Sequence, residues 1–193
     1  ELDSTFYGAP RASTVRQWAA QTPPGFRFCP KTPREITHER GLALAQGAGE
    51  AMLAFLDAMH HLGDKLGPVL IQLPPSFGPA QQPALADFLA ALPRDLRYAV
   101  ELRQRGWFTP ETAAFLREHG AAWVTLDYLD LPRQIDPTAD FLYIRWIGQH
   151  GRWAQRGREE IDVTPRLRWW RQQLQPALAQ VDAVYGFFND DYA

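Results

Sequence analysis

Short apolar, β-branched or aromatic runs alternate with longer segments of helical period along this chain. The runs are Leu2–Tyr7, Phe26–Lys31, Val69–Leu73, Tyr98–Leu102, Trp123–Asp127, Phe141–Trp146 and Ala183–Phe188. Several are apolar on both faces, as in Val69-Leu70-Ile71, which suits strands covered on both sides of a parallel sheet. The intervening segments carry helix punctuation. Ser13 is placed to cap a helix through Gln21, ended by Pro23-Pro24-Gly25. Gly49–Leu62 bears Met52, Leu53, Leu56 and Met59 at helical spacing, closed by Gly63. Pro83–Leu92 repeats the pattern. Thr109-Pro110-Glu111-Thr112 is a cap with Pro at the first helical position, and Gly120 is the stop. Thr164-Pro165 opens a last helix towards Gln180, with Pro176 expected to kink or split it.

Strand–helix alternation with short connections predicts right-handed βαβ units. Seven such strands point to a TIM-type (β/α) barrel, in one domain over residues 1–193, rather than a doubly wound sheet. A closed barrel has eight strands and usually about 250 residues. The expectation is therefore a barrel lacking its first βα unit and, since Ala193 follows the last strand, its final helix. No Gly-x-Gly-x-x-Gly turn follows a strand and no phosphate-binding Gly-x-x-x-x-Gly-Lys motif occurs, so nucleotide-binding α/β folds of those types are excluded.

Charge narrows the function classes. Twenty basic against 22 acidic residues give a net charge of −2, which argues against a generally cationic membrane or nucleic-acid binder. Lone Cys29 excludes an internal disulfide and a cysteine zinc cluster. With no basic and apolar leader visible, a cytoplasmic location is expected. No stretch is apolar for long enough to span a bilayer.

In barrels of this kind chemistry sits where strands end. The polar residues there are Asp3, Ser4, Thr5 and Tyr7, then Lys31, Gln72, Glu101, Arg103, Asp127, Arg145 and Asn189. Glu101 and Asp127, on successive strands, are candidates for a general acid and base. Lys31, Arg103 and Arg145 are candidate anion clamps. Tyr7 and Gln72 would position the ligand. Glu101 and Arg103 lie two apart and leave a strand on one face. A carboxylate inside a packed barrel needs a cation, so Glu101 is expected to be buried and ion-paired to one of these. The histidines lack metal-ligand spacing, and neither a metal nor a cofactor is expected. The loop Gly148–Arg158 carries Arg152, Trp153, Arg156 and Arg158, which suits a phosphate backbone with base stacking.

Several blocks resemble the domain-of-unknown-function 72 (DUF72, YecE-like) family. They are Leu2–Tyr7, Pro24–Phe28, Lys31–His38, Leu66–Phe77, Ala99–Arg103 with Gly106-Trp107-Phe108, and Ala139–Arg145. The resemblance implies a TIM-type barrel with no established activity. It carries Thr5, Tyr7, Lys31, His38, Gln72, Glu101, Arg103, Arg145 and Asn189 over as shared positions. The leading expectation is a polar, anion-binding pocket at the strand C-termini, acting as a hydrolase on phosphoesters or nucleic acid. The alternatives are a non-catalytic nucleic-acid-binding module using the Arg152–Arg158 loop, and a carbohydrate-binding barrel stacking sugars on Trp107 and Trp153.

Overall fold

A computed structural model describes residues 1–128, 131–148 and 162–189. The chain divides into two compact units, Glu1–Trp107 and Phe108–Ala193.

In the first unit β1 (Val69–Gln72) and β2 (Tyr98–Glu101) pair in parallel, with Gln72 opposite Glu101. Both are buried at every position. The expected strands Leu2–Tyr7 and Phe26–Lys31 are reduced to single parallel bridges: Leu2 to Pro30, Phe28 to Leu66 and Lys31 to Leu70. Proline explains part of this. Pro30 accepts from Leu70 N–H at 2.8 Å but has no N–H to return to a ladder. Beyond Leu2 the chain coils into a 3-10 turn over Asp3–Tyr7. The Thr5 hydroxyl, 2.7 Å from Leu2 O and 2.6 Å from Lys31 O, ties that turn to the neighbouring segment.

The helices α1 (Ala12–Gln21), α2 (Ala48–His60) and α3 (Gln82–Ala90) lie where the sequence periodicity places them, although Ser13 falls inside α1, whose cap position is Arg11 with no side-chain cap bond. Of the expected α2 stripe Met52, Leu56 and Met59 are buried together with Phe55, whereas Leu53 faces solvent at 49% exposure; each buried side chain contributes roughly 1.5–3 kcal/mol of transfer free energy. A π-helical turn over Glu35–Glu39 was not foreseen. There Arg40 N–H donates to Glu35 O at 2.9 Å. It is followed by Gly41 and by Leu42, which is wholly buried in a left-handed conformation with φ 63°, a geometry that costs a branched residue of order 1–3 kcal/mol.

In the second unit α4 (Pro110–Glu118) starts at the expected cap, Thr109 Oγ1 accepting from Thr112 N–H at 3.4 Å. The expected strand Trp123–Asp127 is two short ones, β3 (Ala122–Trp123) and β4 (Thr125–Asp127). Then β5 (Phe141–Ile147) pairs in parallel with β4 on one side and β6 (Ala183–Asn189) on the other. Helix α5 (Thr164–Leu178) covers one face, where Leu142, Ile144 and Ala177 form a core with Leu174, Trp146 and Val181. Pro176 does not split α5, because the backbone bond it removes falls two residues from the helix end.

The fold is mixed α/β, with parallel strands alternating with helices, and among the described residues the paired strands form two three-stranded sheets. No helix among the described residues is long and apolar enough to cross a membrane.

Candidate functional site

Side chains alternate faces along a strand, and partners in a parallel register share a face. Lys31 is bridged to Leu70, and Gln72 is paired with Glu101. Lys31, Gln72 and Glu101 therefore lie on one face of the first unit's sheet, towards the ends of its strands. All three are buried.

Glu101 is 0% exposed and accepts from Arg103 Nε at 2.5 Å, while the Arg103 side chain keeps 19% of its surface. The expected burial and ion pairing of Glu101 are thus observed. The bond fixes the plane of the guanidinium, and with it the direction of its terminal nitrogens. Lys31 Nζ lies 3.4 Å from Asp3 Oδ1 and 4.2 Å from the centroid of the Phe6 ring. Thr5 acts through Lys31: its hydroxyl accepts from Lys31 N–H at 3.0 Å, so it holds the backbone that carries the ammonium.

His38 sits on the π-helical turn, with the edge of its ring against Phe6 at 5.2 Å between centroids. Nδ1 is 2.9 Å from the Thr37 hydroxyl, which lies 3.4 Å from Pro33 O. The tautomer protonated at Nδ1 uses both contacts, the hydroxyl accepting from the ring and donating to the carbonyl. Burial holds the imidazole pKa below its ordinary value. The charges of Arg34, Lys31 and Arg103 lower it further, against an opposing effect of Glu39.

Phe6 and Tyr7 also line a cavity of about 520 Å³ beside the π-helical turn and α2. Tyr7 is 85% exposed. Among the described residues no group of three His, Cys, Asp or Glu side chains is gathered to hold a metal ion.

The second unit separates its own candidates. In the β4–β5 register Asp127 pairs with Trp146, and Leu126 with Arg145. Asp127 and Arg145 therefore point to opposite faces. Asp127 is on the α5 side, where Oδ1 accepts from Arg133 Nε at 3.0 Å. Oδ2 accepts from Arg166 Nε at 2.8 Å and from the buried Trp170 indole at 2.7 Å. With three donors around it, this carboxylate anchors α5. Arg145 is buried on the other face, which it shares with Tyr143 and Phe187. Asn189 ends β6 opposite Ile147. Its side chain, with Arg152 and Trp153, lies outside the described residues.

Trp107 corrects one further expectation. It is fully buried, donates its indole N–H to Phe77 O at 2.8 Å and stacks on Phe77, so it presents no face to a sugar. Sequence reasoning missed Phe6, Arg34 and Thr37, although all three lie in blocks that carried the resemblance. It also missed Arg133, Arg166 and Trp170, for which a polar strand end followed by a helix gives no local signal.

A family model described as protein of unknown function DUF72 matches residues 1–193. The chain belongs to the DUF72 family. It is 37% identical over 108 residues to the UPF0759 protein YecE of Escherichia coli K12, covering 56% of this chain and 39% of that protein. It is 30% identical over 132 residues to the UPF0759 protein YunF of Bacillus subtilis 168, covering 64% and 46%. The chain thus matches less than half the length of these relatives. Crystal structures of DUF72 family proteins share its fold. One from Enterococcus faecalis V583 superposes with a TM-score of 0.80 at 22% identity, covering 99% of this chain and 82% of that one. One from Thermotoga maritima MSB8 gives 0.77 at 28% identity, covering 97% and 76%. DUF72 membership carries no activity with it, so function rests on the site itself.

Proposed function

We propose that the first unit binds a phosphate-class anion at the ends of its parallel strands. Lys31 and Arg103 are the cationic pair, Gln72 a neutral donor, and His38 stands beside them. The observation that supports this reading is the field at His38. Arg34, Lys31 and Arg103 all act to keep its imidazole neutral, although Lys31, Arg103 and Arg34 each have a carboxylate partner. Lys31 and Arg103 thus supply cationic groups to which a dianion can bind. In this reading Glu101 is a positioning residue for Arg103.

A second reading, phosphoester hydrolysis at the same place, is favoured by His38. An imidazole held below its usual pKa is unprotonated at neutral pH and can accept a proton from an attacking water. This role suits His38 better than Glu101, whose carboxylate has no exposed surface and is bonded to Arg103. Binding of nucleic acid through Arg152–Arg158 is a separate reading that draws on residues outside those described. The finer fold reading, one TIM-type barrel domain over the chain, is supported by strand–helix alternation. A cytoplasmic location accords with the free, buried Cys29.

The test is thermal denaturation in increasing phosphate, with chloride at matched ionic strength as reference. A ligand that binds only the folded state stabilises it by RT ln(1 + [L]/Kd). Phosphate is expected to raise the melting temperature of the wild type, and Lys31→Met to abolish most of that rise. No phosphate-specific rise, or an equal one in both proteins, overturns the proposal. For the second reading, hydrolysis of 4-nitrophenyl phosphate is expected to be lost in His38→Asn while phosphate binding is retained.

A further inference from the structure

We infer that the cavity beside Phe6 receives the uncharged ring of an organic phosphate, so that the ligand is a phosphate ester of a flat aromatic group rather than the bare ion. The inference rests on the anion-binding reading and extends it to a substrate class.

Phe6 joins the two places. One side of its environment is polar: Lys31 Nζ stands 4.2 Å from its ring centroid, and His38 meets it edge-on. Phe6 also lines the cavity, with Tyr7, Ile36, Ala51, Ala54 and Phe55. A phosphate near Lys31 therefore has next to it a recess of mixed lining, aromatic and aliphatic on one part and edged by Arg34, Glu35 and Glu39 on another. At about 520 Å³, the recess falls within the range of roughly 300–1,000 Å³ typical of small-molecule sites.

The lining suits a neutral, flat group. The charged side chains at the edge are balanced locally: Arg34 pairs with Glu39, and Glu35 with Arg40. Ala51 and Ala54, three apart on α2, leave the helix face low where a larger residue would fill the space. Tyr7 is the most exposed of the large hydrophobic side chains among the described residues, at 85%, and stands edge-on to Phe6 at 5.5 Å. A ring entering the recess would cover Tyr7 and gain an aromatic neighbour in an edge or offset arrangement. An aliphatic alcohol phosphate would meet the same lining without that aromatic contact.

Calorimetric titration of inorganic phosphate and of phenyl phosphate tests this on the wild type, Tyr7→Ala, Ala54→Phe and Lys31→Met. The wild type is expected to bind phenyl phosphate at least about tenfold more tightly than phosphate, a difference of about 1.4 kcal/mol. Tyr7→Ala, on the surface and safe for folding, is expected to lower that preference. Ala54→Phe is expected to reduce it to about twofold or less, with phosphate affinity unchanged. Lys31→Met is expected to weaken both ligands alike. Equal affinity for the two ligands in the wild type overturns the inference and leaves anion binding standing. A preference that survives both Tyr7→Ala and Ala54→Phe also overturns it, because the ring must then bind elsewhere. Failure of both ligands to bind the wild type overturns the anion-binding reading, and this inference with it.

Discussion

Replacing either member of the Glu101–Arg103 pair should be costly, and unequally so. Glu101 has 0% exposure and Arg103 has 19%. In Arg103→Met, the lost Nε–H served a carboxylate that water cannot reach. Removing one partner of a buried pair costs about 3–5 kcal/mol. In Glu101→Gln the volume and one acceptor oxygen are kept, and the guanidinium can turn part of its surface to solvent. The expected cost is then about 1–3 kcal/mol, that of a compromised charged hydrogen bond. The double variant removes both charges, and replacing a whole buried pair by neutral groups is often close to neutral. With the double variant close to neutral, a double-mutant cycle should therefore return a coupling of about 4–8 kcal/mol, above the range of about 0.5–3 kcal/mol usual for residues in direct contact. Urea denaturation followed by tryptophan fluorescence measures it, since buried Trp107 reports on the same unit. A coupling under about 0.5 kcal/mol, the level found between independent sites, would refute the pairing. A larger loss in Glu101→Gln than in Arg103→Met would refute the argument from exposure.

His38 makes stability depend on pH. Its folded pKa is below the ordinary 6.5, so the unfolded chain takes up the proton first as pH falls. The contribution is fully present above 6.5 and is lost as pH drops from there through the folded value. The slope of stability against pH in that window should diminish in His38→Asn. Asp127→Asn should loosen α5, since the buried Trp170 indole and two arginines share that carboxylate. About 1–3 kcal/mol of destabilisation is expected, read as faster amide hydrogen exchange in Thr164–Leu178 than in α2. Unchanged exchange there would remove Asp127 as the anchor. Burial pushes the Cys29 thiol up to about 12, so the folded protein should not react with Ellman's reagent at pH 8, whereas the urea-unfolded chain should give one thiol.

Local signals carried the helices and the strand order. The Thr109 cap, the Gly120 stop and the α2 stripe are readable because capping and helical period are properties of a few neighbouring residues. The alternation of strands with helices, and the burial and ion pairing of Glu101, followed from spacing together with the cost of an unpaired buried charge. What spacing could not supply was the face. Asp127 and Arg145 both end apolar runs, yet the β4–β5 register turns Asp127 to α5 and Arg145 away from it, because a shift of one residue exchanges every side chain between the two sides of a sheet. The same dependence on the folded chain holds for Trp107, whose indole found Phe77 O thirty residues away, and for His38, where Arg103 joins the neighbouring Lys31 and Arg34. The Leu2–Tyr7 run is expected as a strand, but Pro30 beside it offers no N–H, and the Thr5 hydroxyl holds the chain in a turn. Hydrogen-bond partners distant along the chain decided these outcomes, and only the folded chain brings them together.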